Sequence, residues 1–512
     1  MFRVFCKFWY DKNTQENTGD FMRMRQRKGL KYFMFIVIGT LIMLPIWLHR
    51  RMGHLDFEQI LFLIKSDGQG TTIDWPMIGS FLVFFVPIWL IVIGLVYYTE
   101  KRKLNISFNK KKMKWPIVLV TLITLVIYDQ QFRVSSFFIK GFKAGDLYEK
   151  YYVHPDSVSL TFPKQKRNMI YIVLESMENN YSDVVLKDES QVNLIRHIQH
   201  FSSLYDSFSN PNALGGPQEI KGASWTAASL VAQTSGIPIR VSMMDKGFGE
   251  EVGFLPGLIT LGDILKEAGY RNYFMAGSDA NFGGRETYFK SDGDYEIGDI
   301  KYYKEIGKLE KDYSVFWGYE DAKLFEFAKE QLLEISKSDA PFNYTMLTVD
   351  THFTDGYTDL SCDFYYDEDY ANAISCSDRK VNDFIKWIQQ QDFYDNTTII
   401  LMGDHQTMNH EFASQMVDKE MRTMVNVFIN AKFNHYQADR LTNRNFSALD
   451  VFPTTLASLG VEIEGDRLGL GVNLMSEKET LMELLTKDGL DEEIAKHSEY
   501  YNRNFLLESL AD

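Results

Sequence analysis

Basic residues are scarce beyond residue 133. Of the chain's 54 Lys and Arg, 19 lie in residues 1–133, which leaves 35; of its 69 Asp and Glu, 9 lie there, which leaves 60. So acidic a region argues against nucleic acid as a partner and offers no polybasic tether to a membrane surface. Cysteine is nearly absent. Cys6 stands in the basic N-terminal stretch, so one pair remains, Cys362 and Cys376, 14 residues apart. No internal repeat or low-complexity tract occurs, which excludes a repeat architecture.

What the chain has in plenty is apolar sequence near its start. Three runs cover residues 32–48, 77–98 and 115–128. The first two approach or reach the length that crosses a bilayer. The third is short and is read with its neighbours as a span over about residues 115–131. Pro45 and Pro87 are tolerable inside membrane helices. The first run is long and has no small-residue cleavage site, so it is not a removable signal peptide. Arg and Lys crowd residues 1–31 and 101–114, while the link between the first two runs is mixed. The positive-inside rule places both basic segments in the cytoplasm and everything after about residue 133 outside. In that oxidising setting Cys362 and Cys376 are expected to form a disulfide, worth about 3 kcal/mol by loop closure; the alternative is two buried thiols.

The expected organisation is a membrane anchor over residues 1–133, a linker over 134–166, an α/β domain over 167–475 and a helical extension over 476–512 that reads as a solvated cap. Within the domain, "NMIYIVLES", "RNYFMAG", "PFNYTMLTVDTH" and "NTTIILMGDHQ" read as strands. "LITLGDILKEAGY", "DAKLFEFAKEQLLEISKS", "ISCSDRKVNDFIKWIQQQ" and "SALDVFPTTLASLGV" read as helices. The alternation predicts an α/β fold with a largely parallel sheet flanked by helices. Sites in such folds lie off the carboxyl ends of the strands.

Three of those ends carry polar chemistry. The first presents Glu175, the second Asp350 and His352, the third Asp404 and His405. Adjacent strand residues point to opposite faces, so Asp404 and His405 converge only if the chain has left the strand, which Gly403 permits by a turn. Glu, Asp and His form a mixed oxygen and nitrogen donor set suited to Mn²⁺ or Zn²⁺. Asp350 reads as a structural acceptor. In "GASWTAASLVAQTSGIP", Thr226 reads as the N-cap of a small-residue helix that stops at Gly236 and Pro238. Beside a metal its hydroxyl becomes a candidate nucleophile, and the helix start offers N–H groups to a phosphoryl oxygen. Trp225 reads as packing, and the small residues after Thr226 as clearance for a phosphoryl group.

"NMIYIVLESME", "GASWTAASLVAQTSGIP", "LTVDTHFTDGY", "YANAISCSDRKVNDFI", "TTIILMGDHQTM" and "LDVFPTTLASLGVEIEGDRLGLGVNL" occur in that order over about residues 165–475. Together they resemble the membrane phosphoglycerol transferases of the alkaline phosphatase/sulfatase superfamily, a group that includes enzymes decorating periplasmic glucans and lipoteichoic acid synthases. The paired cysteines and "EGDRLGLGVNL" are most similar to the glucan-modifying branch. The resemblance implies a sulfatase-like catalytic domain behind N-terminal transmembrane helices. It implies one divalent metal, manganese first and magnesium or zinc next, on Glu175, Asp404 and His405. Thr226 would be fourth ligand and nucleophile, and His352 and Arg285 would bind the substrate. Where the synthases carry a Trp two positions before that Arg and a His further upstream, this chain has Gly283 and Ala276.

The implied reaction moves a phosphoglycerol headgroup from a membrane phospholipid, phosphatidylglycerol, to a hydroxyl on an extracytoplasmic glycan or glycolipid, through a covalent phosphothreonine. The protein would sit in the cytoplasmic membrane with its domain outside; no oligomeric state is implied. One alternative is a phosphoethanolamine transferase acting on lipopolysaccharide or another glycolipid. A second is a non-catalytic relative that binds lipid or glycan. Sulfatase activity is discounted: that chemistry needs Cys or Ser in C/S-x-P-x-R, and in "SGIPIR" Ser235 stands three residues before Pro238.

Overall fold

The computed structural model describes residues 18–53, 55–66, 75–102, 110–210, 215–241, 248 and 253–506. Cys6 lies outside them. The chain divides into a helical unit, Met1–His49 with Asp74–Tyr128, and an α/β unit, Arg50–Ile73 with Asp129–Asp512.

Three long helices carry the apolar runs: α1 (Thr18–Met52), α2 (Trp75–Lys101) and α3 (Lys110–Phe132). Tyr32–Met52 and Met77–Thr99 are long and apolar enough to cross a membrane, whereas the described apolar part of α3, Val118–Phe132, is shorter. Polar side chains inside the unit join the helices: the Trp89 indole N–H donates to the Thr40 hydroxyl at 2.8 Å, and the Tyr128 hydroxyl donates to the Leu41 carbonyl at 2.8 Å. Phe33, Leu41, Val83, Leu90 and Leu119 are exposed, an apolar surface suited to hydrocarbon rather than water.

The α/β unit is built on six strands: β1 (Asn168–Leu174), β2 (Arg271–Ala276), β3 (Glu296–Gly298), β4 (Phe342–Leu347), β5 (Thr397–Gly403) and β6 (Asn426–Ile429). Their order is β3-β2-β4-β1-β5-β6, parallel throughout except for β6, which runs antiparallel to β5. Every residue of β4 and β5 is buried, as expected of strands covered on both faces. Alternate residues serve opposite layers. Met169, Tyr171 and Val173 pack with α4 (Thr226–Ser235) and, further along the chain, Ala448–Ser458. Ile170, Ile172 and Leu174 pack with α5 (Asp321–Ile335) and α6 (Asp369–Ile388).

Three features depart from the sequence reading. Residues 134–166 are not a free linker: Tyr148 is buried, and Leu160–Thr161 pairs antiparallel with Glu462–Ile463. The C-terminal extension is not merely a solvated cap. Its acidic residues mask an apolar set, Leu481, Met482, Leu490, Ile494, Tyr501 and Phe505, that joins the main core. The short edge strands β3 and β6 gave too brief a pattern to be read.

Candidate functional site

Strands β1 and β5 are neighbours in register, with Leu174 opposite Gly403, so Glu175 and Asp404 leave the sheet side by side. One ligand atom each from Glu175, Asp404 and His405 lies within 4.8 Å of the other two, and all three residues are buried. Past Gly403 the chain has left the strand, and Asp404 and His405 converge as expected. Gly403 ends β5, and a Cβ there would stand 2.2 Å from the Met177 carbonyl oxygen. At the neighbouring strand end Ser176 adopts the left-handed region at φ 49°, a conformation that costs energy for a residue with a Cβ. Its N–H donates to Asp404 Oδ1 at 2.7 Å and its hydroxyl to Glu175 Oε1 at 2.9 Å.

The first residue of α4 is Thr226. Trp225 is the N-cap and caps with no side-chain hydrogen bond, which corrects the expectation that Thr226 is the cap. The Thr226 hydroxyl turns to the cluster and stands 3.3 Å from both Glu175 Oε2 and His405 Nε2. Two further residues on that helix face were missed. Ser229 donates to the Asp404 carbonyl at 2.5 Å. Gln233 donates to Ser229 Oγ at 2.9 Å and to the Gly403 carbonyl at 3.2 Å, and accepts from the Tyr171 hydroxyl. The i, i+3, i+7 spacing of Thr226, Ser229 and Gln233 was the available signal. Gly283 lies close to this helix start: a Cβ on it would stand 3.3 Å from the Ala227 Cβ.

The electrostatics favour a cation. Burial works against the Glu175 carboxylate, but His352, His405, the Ser176 hydroxyl and Arg285 hold its pKa below the usual value. Burial, then Glu175, pushes Asp404 up to about 7. Burial opposes charge on His405 too, yet Asp404 and Glu175 outweigh it and raise the imidazole to about 9. His405 Nδ1 lies 2.8 Å from the Gln406 carbonyl, which only accepts; Nδ1 is therefore the N–H and Nε2 faces Glu175 and Asp404 at 3.5 and 3.4 Å. Asp404 Oδ2 is buried and accepts no hydrogen bond from any described residue. A buried, unbonded carboxylate oxygen beside a second carboxylate and an imidazole fits a divalent ion.

Arg285 and His352 complete the neighbourhood. Buried Arg285 donates to Ser278 Oγ and the Asp279 carbonyl, while its Nε has no partner among the described residues. Burial brings its pKa down to about 10, opposed by Glu175 and by Asp279, Asp299 and Asp404. Burial also lowers His352, against the pull of Glu175. The His352 Nδ1–H donates to the Phe353 carbonyl. Asp350 stays apart from the cluster, accepting from the Asp321 N–H at 3.1 Å and from Lys380 Nζ at 2.8 Å. Cys362 and Cys376 form the disulfide, which ties the loop after His352 to α6.

A family model described as Sulfatase matches residues 167–461. Phosphoglycerol transferase I of Xanthomonas campestris pv. campestris (strain B100) is 30% identical over 322 residues, 61% of this chain and 43% of that protein. Phosphoglycerol transferase I of Escherichia coli (strain SMS-3-5 / SECEC) is 31% identical over 336 residues, 64% of this chain and 41% of that protein. The match therefore spans about two fifths of the length of these curated relatives. Among solved structures, the lipoteichoic acid synthase LtaP from Listeria monocytogenes is 16% identical, with a TM-score of 0.47 over 64% of this chain and 81% of that one.

Proposed function

Because the chain belongs to the sulfatase family, we propose that it is a membrane-anchored, metal-dependent transferase of phosphoglycerol. The donor is a phospholipid, phosphatidylglycerol, and the acceptor a hydroxyl of an extracytoplasmic glycan or glycolipid. The two crossing-length helices support anchoring in the cytoplasmic membrane; with α3 counted as a third crossing, the positive-inside rule puts the α/β unit on the outer side. Glu175, Asp404 and His405 would hold one divalent ion, manganese first, with Thr226 as its fourth neighbour. Such an ion supplies Lewis acidity that lowers the pKa of an adjacent hydroxyl and offsets phosphoryl charge.

Thr226 Oγ forms a bond to phosphorus as the bond from phosphorus to the diacylglycerol oxygen breaks. Glu175 Oε2, 3.3 Å from Oγ, is placed to take its proton, since His405 Nε2 would be held by the ion. Arg285, with an unpartnered Nε, neutralises the phosphate. The departing oxygen takes up the proton released by Thr226; His352, neutral and with its Nδ1–H committed to a carbonyl, has an Nε2 lone pair to take the proton of the acceptor hydroxyl. The acceptor oxygen then displaces Thr226, and the exclusion of water from the buried cluster favours transfer over hydrolysis.

One observation carries this reading: the Thr226 hydroxyl is released from capping and directed at the carboxylate and imidazole cluster. Mass spectrometry of the Thr226 peptide after incubation with phosphatidylglycerol tests it. A phosphoglycerol adduct is expected. An unmodified peptide from metal-loaded, folded protein sinks the mechanism, and a phosphoethanolamine adduct from mixed lipids reassigns the headgroup.

A further inference from the structure

Beside the cluster stands a set of aromatic rings that the mechanism does not use. Trp317 packs on His352 with ring centroids 4.3 Å apart, and Phe282 lies 5.7 Å from Trp317. Phe282 also carries the Arg285 guanidinium over its face at 5.6 Å. Its neighbour Gly283 lies close to Ala227, next to Thr226: a Cβ there would stand 3.3 Å from the Ala227 Cβ. Phe282 and Trp317 are both only half-buried. They edge the reaction centre on the side of His352 and Arg285.

The placement of Trp317 is built rather than incidental. The turn that carries it is closed by two main-chain hydrogen bonds, Val315 N–H to Gly318 carbonyl at 2.8 Å and Gly318 N–H to Val315 carbonyl at 2.9 Å. The turn is pressed on the end of β2: a Cβ on Gly318 would be 2.1 Å from the Gly277 carbonyl oxygen. Phe316 is held at φ 55°, a conformation that bulky side chains adopt only where the surroundings enforce it. The Trp317 indole N–H donates no hydrogen bond to any described residue.

A half-exposed indole with a free donor, edged by Phe282, by the His352 ring and by the charged Arg285, has a definite complement. An acyl chain would leave the N–H unsatisfied and lie against charge. A pyranose ring presents C–H groups on its face and hydroxyls on its rim, so it stacks on the indole while accepting from Nε1. We propose that Trp317 and Phe282 form a sugar subsite that seats the ring of the glycan acceptor. Its role in the reaction rests on the transferase reading above; the binding itself does not.

The full-length protein in detergent, carrying Thr226→Ala so that it cannot react, is titrated with a β-linked glucose hexasaccharide, with tryptophan fluorescence and calorimetry as readouts. Saturable binding is expected, weakened about tenfold or more by W317A and partly restored in W317F, which keeps the stack and loses the donor. Absence of saturable binding, or equal binding by the W317A protein with an unchanged melting curve, overturns the subsite. In reacting protein, W317A should raise the KM for saccharide at least about tenfold more than the KM for lipid. A larger rise for the lipid shows that the rings hold an acyl chain, and the proposal falls. Saccharide binding without any lipid-derived adduct on Thr226 would leave the subsite standing and remove the transferase reading.

Discussion

The Ser229 hydroxyl donates a 2.5 Å hydrogen bond to the main-chain carbonyl of Asp404. It fastens the residue three positions after Thr226 on α4 to the end of β5, so the helix of the proposed nucleophile and the strand end with the proposed ligands are set against each other. Both groups are buried, and Ser229→Ala leaves the carbonyl and Gln233 Nε2 without that partner. The expected cost is about 1–3 kcal/mol in denaturant unfolding. Support for metal ligands at this remove is worth roughly 10–100-fold, so metal affinity should fall by that order. Unchanged affinity would mean that Ser229 contributes to packing alone.

Thr226→Ala separates chemistry from stability. The hydroxyl caps nothing, so its loss should shift unfolding by less than about 1 kcal/mol. Release of diacylglycerol from labelled phosphatidylglycerol should drop at least about 10³-fold. Turnover within tenfold of the parent protein would remove Thr226 as the nucleophile.

The titration of the cluster ties metal binding to pH. In metal-free protein His405 keeps its proton until about pH 9 and Asp404 until about 7. A cation must displace those protons, so affinity rises with pH, by up to about tenfold per unit for each proton displaced. Both pKa values are raised by folding, and their contribution to stability is present at low pH and fades as pH climbs through 7 and then 9. Chelator-treated protein should therefore lose stability from pH 6 to 9, while the metal-loaded form resists the loss. Calorimetry in buffers of different ionisation heat should record about one proton released per ion at pH 8. A pH-independent affinity over that range would contradict the assignment of His405 as a ligand.

Much of this site was legible because its residues end strands that announce themselves. The long buried runs of β1, β4 and β5 marked where Glu175, His352, Asp404 and His405 must emerge, and the topological rule for parallel sheets pointed to that edge. What escaped was local conformation. Nothing in "LES" signals that Ser176 adopts a left-handed backbone, because serine rarely does and only the assembled strand ends enforce it. Thr226 was read as a cap because a hydroxyl at a helix start usually is one; Glu175 and His405, distant in sequence, draw it away. Trp317 gave no pattern at all, since a single turn places it.

The disulfide offers a test of loop control. Cys362 and Cys376 close a 14-residue separation between the loop after His352 and α6. Replacing both by Ser should cost about 3 kcal/mol of stability in the chain-entropy picture. Since the same loop carries His352, the KM for lipid should rise even well below the melting temperature. A loss of stability with unaltered kinetics would confine the bridge to a structural role.

Gly403→Ala is the harshest small substitution the site offers. The residue has an ordinary strand backbone, so the methyl group is not refused by φ but by space. A Cβ would fall 2.2 Å from the Met177 carbonyl oxygen, 2.9 Å from the Met424 Cβ and 3.1 Å from the Val425 nitrogen. Two of those three are main-chain atoms of neighbouring segments and cannot rotate away. Relief would require β5 to part from the Met177 turn, and Gly403 N–H donates to the Val425 carbonyl, so that ladder bond is lost as the strand moves. Overpacking of this kind costs about 1–3 kcal/mol or more, and it displaces Asp404, the next residue. Loss of bound metal with the far-UV dichroism retained is the expected outcome. A variant of normal stability and metal content would show that the strand end has slack, and would weaken the claim that crowding at Gly403 sets the position of Asp404.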